Sequence, residues 1–130
     1  MERVYKPDGY NSVSPYLVVD GAQKMIDLLK GIFGAVELRR YDDPDGSVMH
    51  AELKIDDSVI MLANSTESYP PNNLLIHVYV PDVEKTFSQA VKLGCEAIEE
   101  PVNKEGDPDM RGMFRDFNGN IWAVGTQLNN

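Results

Sequence analysis

Hydrophobic and polar positions along this chain follow one plan that is stated twice. From Val13 it reads VSPYLVVDGAQKMIDLLKGIFGA: a β-rich run, a turn, a helical face, then a glycine. From Leu74 it reads LLIHVYVPDVEKTFSQAVKLGCEA, with Val80 in the place of Val19 and Gly94 in the place of Gly34. A looser echo pairs the turn at Asp56-Asp57 with the turn at Asn118-Gly119. Self-similarity of this length marks repeated structural units. Two copies are too few for a solenoid and suit a pseudo-symmetric domain with a cleft between its halves.

Period and punctuation divide each copy further. Residues 1–11 are polar, with Pro7, Gly9 and Asn11, and predict a leading arm. Ser12 to Val19 predicts a strand. Asp20-Gly21 opens a helix to about Phe33, with Met25, Ile26, Leu28, Leu29, Ile32 and Phe33 on its apolar face. Gly34 is a natural stop, because glycine takes the left-handed conformation cheaply. Val36 to Tyr41 predicts a second strand, and Asp42-Asp43-Pro44-Asp45-Gly46 a turn. Val48 to Ile55 alternates, with His50 and Glu52 opposite Ala51, Leu53 and Ile55. Val59 to Ala63 is nearly all apolar and predicts a strand covered on both sides.

The polar stretch 64–73, with Pro70-Pro71, predicts the connector. Leu74 to Val80 is then a strand. A helix follows to about Leu93, with Val83, Phe87, Ala90, Val91 and Leu93 inward. Cys95 to Glu99 is a strand and Pro101 to Asp109 a charged loop. Arg111 to Asp116 and Ile121 to Thr126 close the chain as strands about an Asn118-Gly119 hairpin turn, read as tolerating positive φ at both residues. The expected fold is α+β: one domain over residues 1–130, made of two βαβββ modules at about 12–63 and about 74–127.

Composition changes this picture little. The chain has 130 residues, 42% hydrophobic and 25% charged, which suits a globular domain. No run approaches the roughly 20 apolar residues of a membrane span. MERVYKPDGYN has no apolar core of a signal peptide, and a lone Cys95 excludes an internal disulfide. A reducing, cytoplasmic location is the expectation. Cys95 itself reads as a small buried thiol. The net charge of −9 argues against nucleic-acid and anionic-membrane partners and mildly favours neutral or cationic ligands.

The phrases PYLVVDGAQKMIDLLKGIFGA, VMHAELKIDDSVIMLA, HVYVPDVEKTFSQAVKLG and MRGMFRDFNGNIW resemble the vicinal oxygen chelate superfamily, and in particular its PhnB-like glyoxalase/bleomycin-resistance branch. The superfamily includes glyoxalase I, extradiol dioxygenases, fosfomycin-resistance enzymes and bleomycin-binding proteins. The resemblance implies curved sheets with helices outside and a concave pocket, and commonly a homodimer. In catalytic members His, Gln or Glu on the first and last strand of each module holds a divalent metal. Carried over one at a time, those places fall at Ser14, near Met61, at Leu75 and at Ala123. Ser, Met, Leu and Ala are not a hard-metal ligand set. The resemblance therefore implies a member without the familial metal site, and no cofactor is expected.

The remaining chemistry centres on the only two histidines, His50 and His77, and on Glu52. His77 alternates in phase with Leu75 and Tyr79, so it should face the pocket, as should Tyr16. Three readings of His50, Glu52 and His77 stand open. They are a relocated metal site, a Glu/His acid–base pair, or hydrogen-bonded groups that orient a ligand or one another. Tyr16, Met61, Tyr79 and Met113, with the three polar residues, make an aromatic lining with few polar groups, as a small-molecule site requires. Trp122 reads as core. Arg111 and Arg115 read as surface ion pairs, or as partners of Glu52 or of an acidic ligand group. The leading expectation is a metal-free binder of an aromatic or cationic small molecule. The alternative is a glyoxalase-like lyase or isomerase, or a dioxygenase-related enzyme, using His50, Glu52 or His77.

Overall fold

Alternation along PYLVV puts Leu17 and Val19 on one side of a strand and Tyr16 and Val18 on the other. In the computed structural model this is β1 (Tyr16–Val19), with Leu17 and Val19 fully buried. The structure describes residues 3–128. These form two units that divide between Pro71 and Asn72.

In the first unit β1 is followed by α1 (Ala22–Phe33), β2 (Val36–Asp42), β3 (Val48–Ile55) and β4 (Ser58–Asn64). The four strands lie in the order β1-β4-β3-β2, with β1 parallel to β4 and the other pairs antiparallel. Helix α1 packs on β1, β3 and β4. It buries Ala22, Met25, Ile26, Leu29 and Ile32. Leu28 and Phe33, expected on the same face, are only half-buried, because they flank the stripe rather than centre it. Gly34 ends the helix in the left-handed conformation at φ 67°, donating its N–H to the Lys30 carbonyl.

The second unit repeats the plan with β5 (Leu75–Tyr79), α2 (Val83–Lys92), β6 (Glu96–Val102), β7 (Asp109–Arg115) and β8 (Ile121–Gln127). Its order is β5-β8-β7-β6, with β5 parallel to β8. Asp82 caps α2 by accepting from the Lys85 N–H. The helix buries Val83, Phe87 and Ala90. Phe114, Trp122 and Val124 complete the core of this unit at 0% exposure. The two βαβββ modules of the sequence reading are therefore present.

Further details depart from the sequence reading, among them β1, which starts at Tyr16 rather than Ser12, and β7, which starts at Asp109 rather than Arg111. Val91 and Leu93 are exposed, since α2 ends at Lys92 and its buried stripe runs through 83, 87 and 90. Strand β6 continues through Pro101 into the stretch expected as loop; it is an edge strand, where proline needs no ladder N–H. The β7–β8 turn has positive φ at Gly119 alone, at 93°. Asp116 replaces the second left-handed residue, its Oδ1 accepting from the N–H groups of Asn118 and Asn120.

Candidate functional site

Strand register assembles the first cluster. Met61 on β4 is the partner of Tyr16 on β1 and of Glu52 on β3, so the three form a row across the sheet. One pair along, His50 faces Tyr41 on β2. Ala51, Leu53 and Ile55 are buried on the helix side, so the alternate positions His50 and Glu52 occupy the opposite face.

On that face the polar groups are bonded in series. The Tyr16 hydroxyl lies 2.8 Å from His50 Nδ1. His50 Nε2 lies 2.7 Å from Glu52 Oε2. Tyr10, from the leading arm, donates its hydroxyl to Glu52 Oε1 at 2.5 Å. Asn11 fixes the arm by accepting from the Val59 N–H. The Arg39 guanidinium stands 3.9 Å from Glu52 Oε1 and 5.3 Å over the Tyr10 ring. The Tyr41 ring stacks on His50 with centroids 6.2 Å apart. An ionised carboxylate only accepts, so His50 Nε2–H donates to Glu52, and with the ring's second proton absent Nδ1 is the acceptor of the Tyr16 hydroxyl.

Glu52 is 5% exposed. Burial pushes its carboxyl up, but hydrogen bonds from Tyr10 and His50, with the nearby Arg39, outweigh burial and hold it below the ordinary carboxylate value. Burial and the Glu52 charge raise the Tyr16 phenol above its ordinary value, and the same two causes, with the Glu52 hydrogen bond, raise Tyr10.

The second unit builds a matching row from His77, Ala123 and Met113, partners across β5, β8 and β7. His77 Nε2 lies 3.2 Å from an Arg111 nitrogen. Guanidinium groups only donate, so His77 is an acceptor at Nε2 and carries its proton on Nδ1. Arg111 is in turn bound by Asp107 at 2.9 Å and Asp109 at 2.8 Å, and Tyr79 donates to Asp109 at 2.7 Å. The Tyr79 ring meets His77 edge-on with centroids 4.7 Å apart. A cavity of ≈ 330 Å³ borders this cluster, lined among others by His77, Glu99, Lys104, Arg111, Met113 and Ala123.

Of the residues singled out in the sequence, Tyr16, His50, Glu52 and Met61 thus meet in one unit, and His77, Tyr79 and Met113 share a face in the other. Ser14 precedes β1 and its hydroxyl is buried without a hydrogen-bond partner. Leu75 is 68% exposed and Trp122 is core. Arg111 pairs with Asp107 and Asp109, and Arg115 with Glu96. Cys95 is buried, and burial pushes its thiol up to about 11. Among the described residues no three His, Cys, Asp or Glu gather as metal ligands would. Sequence reasoning missed Tyr10, Arg39 and Asp109. The only signal available was the requirement that a buried carboxylate find donors.

Comparison with known proteins places these features. The model of the glyoxalase/bleomycin resistance protein/dioxygenase superfamily matches residues 9–124. An uncharacterised protein of Mycobacterium bovis is 33% identical over 125 residues, 88% of this chain and 82% of its own. One from Mycobacterium tuberculosis has the same identity, with 73% of its own length covered. Among solved structures, TioX from Micromonospora sp. ML1 superposes with a TM-score of 0.72 at 20% identity, covering 92% of this chain and 98% of its own. TnmS3, an antibiotic binding protein from Streptomyces sp. CB03234, gives 0.68 at 17%, covering 92% and 100%. The fosfomycin resistance protein FosX of Mesorhizobium loti gives 0.66 at 17%, covering 91% and 92%. At these identities the structural likeness carries the fold alone.

Proposed function

This chain belongs to the glyoxalase/bleomycin resistance protein/dioxygenase superfamily, and we propose that within it the chain is a small-molecule-binding protein that works without a divalent metal. The observation that carries this reading is the closed series Tyr16–His50–Glu52–Tyr10. Both ring nitrogens of His50 and both oxygens of Glu52 already have protein partners. A metal at this face would have to break those bonds, and Ser14, Met61, Leu75 and Ala123 offer no replacement ligands. His77 is likewise occupied at Nε2 by Arg111. A relocated site made from His50, Glu52 and His77 is disfavoured for the same reason.

The tyrosines and methionines around the series supply what capture needs: apolar and aromatic contact with a few oriented polar atoms. Tyr16 and Tyr41 are 40% and 52% exposed, so part of each ring lies at the surface a ligand would meet. The net charge of −9 favours aromatic compounds that are neutral or cationic. The antibiotic-binding name of TnmS3 agrees with a binding role. The quoted sequence blocks support the PhnB-like branch. Val36 and Leu38, exposed at 60% and 40% on edge strand β2, support a homodimer, and the lone cysteine a cytoplasmic setting.

The test is a thermal-shift screen of aromatic and cationic compounds on the wild type and on His50→Ala and Tyr16→Ala. A compound that raises Tm in the wild type and not in the variants supports the reading. A panel without effect, alongside a stoichiometric divalent metal in the purified protein, overturns it.

A further inference from the structure

Serial hydrogen bonding has a direction, and on the first sheet the direction is set by Glu52. Its carboxylate fixes a His50 proton on Nε2, so in the singly protonated ring Nδ1 is bare and turned to the Tyr16 hydroxyl at 2.8 Å. A hydroxyl oriented by a base that is itself oriented by a carboxylate is the arrangement by which imidazole removes protons. Here the hydroxyl is a tyrosine's, and Tyr16 is 40% exposed while Glu52 is 5% exposed. The series therefore runs from an accessible end to a buried, ionised one.

We propose that the first-sheet series is a proton-accepting relay, and that its ligand is a weak oxygen acid, a phenol or enol, whose proton it takes on binding. This deepens the binding reading and rests on it. The ligand O–H donates to a lone pair of the Tyr16 oxygen. As that proton transfers, the proton already on Tyr16 passes to His50 Nδ1. One O–H bond of the ligand breaks and one forms at Tyr16, while one O–H of Tyr16 breaks and one N–H forms on His50. The ligand becomes an anion and His50 an imidazolium, so charge balances and no oxidant or reductant is needed. Tyr16 touches the ligand. His50 receives the proton, and Glu52 positions the ring and compensates its charge.

The surroundings suit this task. The groups facing His50 are Tyr16 on β1, Glu52 on β3 and Tyr41 on β2. Arg39 on β2 and Tyr10 from the arm face Glu52. Tyr10 and Arg39 hold the carboxylate ionised, and the Tyr41 ring stacked on His50 gives the imidazolium an aromatic face. That ring and Tyr16 also suit a planar ligand. A ligand whose conjugate base is delocalised over such a plane is the one whose ionisation costs least here.

Two measurements test the inference. The first is the ¹⁵N spectrum of the histidines in the ligand-free protein. It should show His50 protonated at Nε2 with a bare, hydrogen-bonded Nδ1 that moves in Tyr16→Phe; a proton on Nδ1 instead overturns the relay. The second uses para-nitrophenol, whose phenolate absorbs in the visible. At a pH where the free compound is mostly neutral, the bound compound should be phenolate in the wild type. In His50→Gln the phenolate-to-phenol ratio should fall on the order of tenfold or more. Glu52→Gln, which offers an N–H to the ring, should turn the tautomer over and give the same loss. Bound phenol that stays neutral in the wild type, or ionises equally in the variants, overturns the inference. So does a failure of para-nitrophenol to bind, in which case the wider compound screen still decides the binding reading separately.

Discussion

A carboxylate buried on a sheet face must find donors, and Glu52 takes them from three parts of the chain: Tyr10 in the arm, Arg39 on β2 and His50 on its own strand. Removing the hydroxyl in Tyr10→Phe leaves Oε1 without its closest donor. The expected cost is about 1–2 kcal/mol, read as a lower urea midpoint at an unchanged slope. The pH dependence has a definite sign. The folded-state carboxyl lies below its ordinary value, so the unfolded chain binds this proton more readily. Its stabilisation is complete above the ordinary carboxylate range and is lost as pH falls through the lowered folded value. Glu52→Gln should show a flatter stability profile over that acid range, and a profile parallel to the wild type would refute the assignment. The facing of His50 and Glu52 was legible from alternation along VMHAELKI. Tyr10 was not, because its bond to Glu52 spans 42 residues and no periodicity encodes it.

At the scale of elements, one acid organises the β7–β8 hairpin. Asp116 is 4% exposed. It accepts from the N–H groups of Asn118 and Asn120, from the Asn120 side chain, and from Trp122 Nε1 at 2.9 Å. Asp116→Ala would strand several buried donors at once, for a loss of about 3 kcal/mol, measurable by denaturant unfolding. Gly119→Ala would force a side chain into left-handed backbone at φ 93° and bring its Cβ to 3.0 Å from the Asn73 side-chain amide. It should cost about 1–2 kcal/mol. Helices and most strands were legible from period and punctuation. The exceptions have physical causes: β6 outlasts its apolar run because an edge strand tolerates Pro101, and the Asn118-Gly119 turn is closed by an aspartate outside the dipeptide. Gly112 shows why close approach is also hard to read. A Cβ there would sit 3.2 Å from Pro101 Cγ and 3.3 Å from the Glu99 carbonyl, contacts set by pairing with β6.

At the scale of the molecule, each unit repeats one sheet order and one cross-strand row, Tyr16–Met61–Glu52 in the first and His77–Ala123–Met113 in the second. The duplicated sequence foretold the shared architecture. It did not foretell that each row would be wired differently, the first through a carboxylate and a tyrosine, the second through Arg111 and two aspartates. That divergence is local chemistry laid on a common backbone, and it is where function has to be sought. The claim that the chain captures its ligand without a divalent ion is tested most directly by calorimetric titration of metal-stripped protein with Zn²⁺, Mn²⁺, Ni²⁺ and Co²⁺. We predict no saturable stoichiometric binding, and the same result for His50→Ala and His77→Ala. One ion bound per chain in the wild type, and lost in either variant, would contradict it.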